Sequence, residues 1–153
     1  MIRDVHMYFN KLDRIAHFFI NEHLKETGLS RGLFFYILEL SHHDGISLQE
    51  LSKAVFVDKA NTTRAVNKLL NLGYATRTAN EEDQRAYKIF LTDSGKEIAR
   101  LIQSIFLKWR DLISEGLTEE EKVSVLEISH KLYENALNYY DQSENGGTGN
   151  VGC

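Results

Sequence analysis

The chain has little with which to cross-link itself, hold a metal or enter a membrane. Its one cysteine, Cys153, stands in a glycine-rich C-terminal stretch, so neither a disulfide framework nor a multi-cysteine metal site can form within a protomer. A reducing cytoplasm is the expected location. No apolar run approaches membrane-spanning length, and the opening stretch MIRDVHMYFNKLDR carries charges throughout in place of an apolar signal core. There are six histidines, but His17 and His23 fall on different faces of one helical pattern. His42 and His43 are neighbours near a helix C-terminus, where the helix dipole accounts for them. No nucleophile motif, phosphate-cradling glycine loop, metal-ligand set or internal repeat is found. An enzyme is therefore not expected, and neither is a metal or cofactor.

A surplus of positive charge is also missing. The formal net charge is −4 over 153 residues, which looks wrong for a nucleic-acid binder until it is resolved by region. Residues 1 to 49 carry five Lys and Arg against six Asp and Glu. Residues 50 to 96 carry eight against six, and residues 97 to 153 carry five against ten. Only the middle of the chain is basic. Acidic C-terminal helices would face away from phosphates, which argues against indiscriminate coating of nucleic acid.

The basic region holds the stretch around which the chain is organised, DKANTTRAVNKLLNLGYATRTANEEDQRAYKIFLTDSG, from Asp58 to Gly95. At 3.6 residues per turn, Thr62, Val66, Leu69 and Leu70 share an inner arc, while Asn61, Arg64, Asn67, Lys68 and Asn71 share an outer one. Asp58 is the expected N-cap and Gly73 the stop. Tyr74 to Ala79 and Ala86 to Leu91 read as strands, the second alternating through Tyr87, Ile89 and Leu91, with NEEDQR as the loop between them. A helix followed by such a hairpin makes a recognition helix and a wing. Asparagine, arginine and lysine on the outer arc suit base edges and phosphates. Beside the wing tip, Asp83 would orient Arg85 for a narrow minor groove.

These residues resemble the MarR family of bacterial transcription regulators. TTRAVNKLLNLGY followed by DQRAYKIFLTDSG matches the family's recognition helix, its Asp-x-Arg wing motif and the Leu-Thr-x-x-Gly that opens the next helix. Two positions depart from the pattern: Gln84 stands before Arg85 where many members pair arginines, and Leu72 stands where a basic residue is common. The departures imply a weaker hold on the DNA backbone.

The rest of the chain supplies flanking helices. Val5, Phe9, Leu12, Ala16, Phe19 and His23 or Leu24 recur at helical spacing from Ile2 to about Lys25, before Gly28, with Phe18, Phe19 and Ile20 widening the apolar face. Ser30 is the expected cap of a second helix through LFFYILEL, closing at Gly45. Ser47 and Glu50 form a capping box for a short third helix with Leu48, Leu51 and Val55 on one face. Phe56 and Val57 turn into the helix at Asp58, in helix-turn-helix order. Thr92 caps a fifth helix carrying Ile98, Leu101, Ile102, Ile105, Trp109, Leu112 and Ile113 towards Gly116. Thr118 and Glu121 then open a sixth helix with two apolar stripes, one through Val123, Leu126, His130, Tyr133 and Leu137 and one through Val125, Ile128, Leu132, Ala136 and Tyr139. Two stripes need two neighbours, as an intertwined dimer interface would supply.

The expected fold is mainly α with a small β-wing. Residues 1–142 form one domain, with about 30–96 as the winged helix-turn-helix, 1–27 and 97–142 as N- and C-terminal dimerisation helices, and 143–153 as a flexible tail. The expected function is that of a sequence-specific DNA-binding regulator, a repressor that binds a near-palindromic operator as a homodimer. Its DNA-binding residues are Asn61, Thr63, Arg64, Asn67, Lys68, Asp83 and Arg85, and its partners are double-stranded DNA and a second copy, with no membrane. The resemblance further implies release by a small aromatic effector between the dimerisation helices and the winged domain, with Tyr8, Phe18, Phe34 and Tyr36 lining its pocket; by default those rings are core or dimer packing. The competing reading is a winged helix that binds only protein, but such a module has no reason to turn both Arg64 and Arg85 towards DNA grooves.

Overall fold

A computed structural model describes residues 2–29, 32–79 and 87–145. The elements run α1 (Ile2–Leu24), a 3-10 turn (Lys25–Thr27), α2 (Leu33–His42), β1 (Ile46–Ser47), α3 (Leu48–Ala54), α4 (Lys59–Asn71), β2 (Ala75–Ala79), β3 (Tyr87–Leu91), α5 (Asp93–Ile113) and α6 (Glu119–Asn145). The chain divides into two compact units, residues 1–110 and 111–153.

In the first unit the expected stripes become a core. Ile20 and Leu24 of α1, Leu33, Phe34, Tyr36, Ile37 and Leu40 of α2, Leu51 of α3, Val66 and Leu69 of α4, and Ala99, Ile102 and Ile105 of α5 are all buried. Of the α1 pattern only the C-terminal turns enter this core. Tyr8, Phe9, Leu12, Ile15 and Phe18 stay exposed, and at the helix end Leu24, not His23, is the buried residue.

Two caps stand where side chain and spacing demanded them. Ser47 Oγ accepts from the Glu50 amide at 3.2 Å while Glu50 Oε2 accepts from the Ser47 amide at 2.9 Å, so two amides otherwise without partners are satisfied at once. Thr118 and Glu121 repeat the arrangement before α6, at 3.2 and 2.8 Å. The start of α2 differs from expectation. Its N-cap is Gly32, at φ 87° with no side-chain hydrogen bond, because the helix starts later than a cap at position 30 requires; Ser30 itself lies outside the described residues. At the other end of the chain, α6 continues to Asn145, beyond the boundary placed at residue 142, since helical hydrogen bonding outlasts the apolar stripe that marks it in sequence.

The sheet holds one strand more than the hairpin. β1 pairs antiparallel with β3, Ile46 opposite Ile89, and β3 pairs with β2 from Ala75 opposite Leu91 to Ala79 opposite Tyr87. β3 is thus central. Two residues are too few for a period-2 pattern, so β1 leaves no trace in sequence. Within β3, Ile89 and Leu91 are buried but Tyr87, on the same face, is exposed because the strand there has run past the edge of the core.

One junction ties the wing to α5. Thr92 Oγ1 donates to the Gly73 carbonyl at 2.6 Å and accepts from the Gly95 amide at 3.1 Å, and the Thr92 amide donates to the Tyr74 carbonyl. A Cβ on Gly95 would lie 2.0 Å from that carbonyl oxygen. Gly95 is required by this close approach, whereas Gly73, at φ 74°, is required by the left-handed backbone that ends α4.

In the second unit none of residues 119–143 of α6 is buried, and Leu126, Ile128 and Tyr139 are exposed. Among the described residues no helix is long and apolar enough to cross a membrane.

Candidate nucleic-acid interface

Helix α4 presents the face that its wheel predicted. Thr62, Val66 and Leu69 are buried, while Asn61, Arg64, Asn67 and Lys68 are exposed and Thr63 is half-buried. The inner arc is held by apolar burial and the outer arc is left to solvent, so the polar groups are available to a partner.

The first turns of α4 order their own polar side chains. Asp58 accepts the Asn61 amide at 2.9 Å through Oδ1 and the Asn61 side-chain amide through Oδ2. Asn61 Oδ1 in turn accepts from Arg64 Nη1 at 2.9 Å. The amide orientation is settled by chemistry, since a carboxylate only accepts and a guanidinium only donates. Residues 58, 61 and 64 thus form a relay along one helix face, with Arg64 at its end. The Asn61 backbone amide first, and its side chain second, hold the Asp58 carboxyl below its ordinary range. Thr63 Oγ1 is turned back onto the Lys59 carbonyl at 2.7 Å.

Beside this face lies a cleft of about 420 Å³, lined by Ser47, Leu48 and Gln49 from the β1–α3 junction, Lys59, Thr63, Val66 and Asn67 from α4, and Arg77, Tyr87 and Ile89 from the wing strands. Arg77 lies over the Tyr87 ring, 5.0 Å from its centroid. Of the residues expected to meet DNA, the structure brings Thr63 and Asn67 into this cleft and sets Asn61 and Arg64 on the adjoining face. Asp83 and Arg85 lie outside the described residues. Sequence reasoning passed over Lys59, Arg77 and Tyr87, although the alternation of β3 already put Tyr87 on the same face as Ile89. Leu72, where the resemblance leads one to expect a basic residue, is half-buried against the core.

Of the four rings assigned to an effector pocket, Tyr8 and Phe18 belong to α1 and Phe34 and Tyr36 to α2. Phe34 and Tyr36 are buried, whereas Tyr8 and Phe18 are exposed on α1. Tyr36 borders a separate cavity of about 290 Å³ with Gly32, Leu33, Phe35, Val55, Val57 and Ala65. The Phe34 ring packs at a tilt against those of Phe35 and His17 and lies near Phe106.

Known proteins are similar to this chain in sequence and in fold. A family model described as the MarR family matches residues 27–86. The HTH-type transcriptional regulator BilQ of Clostridioides difficile (strain CD3) is 34% identical over 107 residues, covering 70% of this chain and 72% of the relative. A MarR transcriptional regulator from Methanosarcina mazei Go1 superposes with a TM-score of 0.85 at 26% identity, over 90% of this chain and 99% of that one. An Escherichia coli MarR mutant solved in complex with operator DNA shares the fold, with a TM-score of 0.76 at 20% identity over 86% of this chain and 94% of that one. With the helix, the three-stranded sheet and the polar outer face in that arrangement, this chain belongs to the MarR family of transcriptional regulators and carries its DNA-binding winged helix.

Proposed function

We propose that the chain is a sequence-specific repressor that binds a near-palindromic operator as a homodimer and is released by a small aromatic effector. The observation that carries the DNA part is the exposed polar face of α4, Asn61, Arg64, Asn67 and Lys68, over a buried apolar one. Arg64 and Asn67 read bases or adjacent phosphates, Lys68 meets a phosphate, and Arg85, oriented by Asp83, enters the minor groove. That an Escherichia coli MarR mutant of the same fold was solved in complex with operator DNA is in keeping with a DNA-binding role here. Acting on DNA in a bacterial cell, the protein works in the cytoplasm.

The homodimer is supported by apolar surface that one copy leaves uncovered: Tyr8, Phe9, Leu12, Ile15 and Phe18 on α1, and Val123, Leu126, Ile128 and Leu132 on α6. Contiguous apolar faces of this extent mark association surfaces in water-exposed proteins. A two-fold dimer sets its recognition helices about 34 Å apart, in successive major grooves. The effector reading is supported by the ring cluster of His17, Phe34, Phe35 and Phe106, with Tyr8, Phe18, Phe34 and Tyr36 as the proposed pocket residues. A ligand among them would shift the spacing of the two α4 helices.

The test is selection of duplexes from a random library by the purified chain, followed by binding titrations. Enrichment of a two-fold sequence with half-sites one helical turn apart is the expected outcome. Failure to enrich any sequence removes sequence-specific regulation.

A further inference from the structure

Among the described residues, the cleft between α4 and the wing strands is lined by two cations and no carboxylate. Its lining contains Lys59 and Arg77 but no Asp or Glu. Neither cation forms an ion pair among the described residues, and the contact shown by the Arg77 guanidinium is with the ring of Tyr87. Both cations are exposed. A cation without an acidic partner keeps its full charge for an incoming anion, and stacking on a ring restricts the guanidinium without using its five N–H donors. Val66 and Ile89, both buried, and half-buried Leu48 are apolar residues of the cleft, while the polar side chains of Ser47, Gln49, Thr63 and Asn67 complete its rim.

We propose that this cleft seats a phosphate of the DNA backbone, with Arg77 and Lys59 meeting the phosphate and Tyr87 positioning Arg77. The proposal rests on the DNA-binding reading of α4. When a helix occupies a major groove and the adjoining hairpin reaches the next minor groove, the strand that separates the grooves must pass between helix and hairpin. That space is this cleft. A phosphate contact fixes register on the duplex without reading sequence, so Arg77 contributes equally to selected and unselected DNA. Arg64 and Asn67, in contrast, discriminate between them.

The experiment measures affinity across a salt series for the full chain and its Arg77→Ala, Tyr87→Phe and Tyr87→Ala variants. Each is titrated with a duplex selected by the wild-type chain and with a scrambled duplex of the same composition. Each phosphate contact contributes about 0.9 to the slope of log K against log salt. Arg77→Ala is expected to lower that slope by about 0.9 per protomer and to weaken both duplexes by the same factor. Tyr87→Phe keeps the ring and retains the wild-type slope, whereas Tyr87→Ala moves towards Arg77→Ala, a split that a merely structural tyrosine would not produce. An unchanged slope in Arg77→Ala, or a loss confined to the selected duplex, overturns the phosphate seat while leaving DNA binding intact. A wild-type chain that binds neither duplex overturns both. A parallel arm follows thermal shift with inorganic phosphate in the absence of DNA. Stabilisation lost in Arg77→Ala together with an unchanged DNA slope assigns the cleft to a free anion and also overturns the proposal.

Discussion

Arg64 illustrates how a side chain can be ordered before its partner arrives. Its guanidinium is held by Asn61, which is held by Asp58, so part of the entropy of arranging a long flexible residue is already lost in the free protein. Replacing Arg64 by Ala is expected to cost about 1 to 3 kcal/mol of operator binding and to relax preference at particular base pairs. Replacing Asn61 should weaken binding chiefly by freeing Arg64. The Asn61→Ala, Arg64→Ala pair should therefore be non-additive in a double-mutant cycle read by binding titration, and strict additivity would mean that the two act separately. Asp58 and Glu50 connect this scale to pH. Both carboxyls are held below their ordinary values of 3.8 and 4.5, Asp58 by the Asn61 amide and Glu50 by the Ser47 hydroxyl and then the Ser47 amide. A depressed carboxyl adds stability that is complete above its unfolded value and is lost as pH falls through the folded one. The stability of the helix-turn-helix should therefore fall on acidification below about pH 4.5, and denaturation midpoints of Glu50→Gln should show a smaller decline.

At the scale of elements, capping and close approach decide where helices begin. Ser47→Ala removes one half of a reciprocal cap at the start of α3 and is expected to cost about 0.5–2 kcal/mol of stability in urea denaturation. An unchanged midpoint would show that β1 pairing alone holds the junction. Gly95→Ala acts differently, since its added Cβ meets the Tyr74 carbonyl oxygen, which belongs to the backbone and cannot swing aside. The expected cost is about 1–3 kcal/mol, and because the same turn carries the Thr92 bonds to Gly73 and to Gly95, the register of α5 on the wing should loosen with it. Hydrogen exchange of the Thr92 and Gly95 amides reports that directly. Much at this scale was legible in sequence: both Ser/Thr-x-x-Glu boxes, the Asp58 cap and the stop at Gly73 stand as read. The glycine at the α2 cap and the short β1 were not, because neither leaves a periodic signal and both depend on which segments come to lie beside them.

For the whole molecule the leading question is how its uncovered apolar faces are satisfied. Leu126 and Ile128 remain exposed by 70% and 58%, far more than a lone helix in water favours. We expect a dimer by sedimentation at micromolar concentration, and Leu126→Lys with Ile128→Lys should shift it towards monomer and weaken operator binding with it. A wild-type monomer both with and without DNA would end the dimer reading. Regulation belongs to the same scale. By linkage, an effector that lowers operator affinity tenfold must bind the DNA-free protein tenfold better, a coupling of about 1.4 kcal/mol. Small aromatic acids that raise the melting temperature should therefore also raise the operator Kd. Binders that leave Kd untouched would reduce the ring cluster to packing.

The sequence by itself determined which face of each helix is apolar, where most helices are capped, and that the basic segment is the one with asparagine and arginine on its outer arc. These follow from short-range periodicity and from bonds between residues three or four apart, which a linear reading can see. Only the tertiary structure decided that β3 is a central strand, that Phe34 and Tyr36 go to the core while Tyr8 and Phe18 stay outside it, and that Arg77, Lys59 and Tyr87 meet in one cleft. Lys59 and Arg77 are 18 positions apart along the chain and are brought together only when β2 folds back beside α4. Pairing across that distance depends on long-range strand register and on burial of Val66 and Ile89 beneath the cleft, and no local pattern records it.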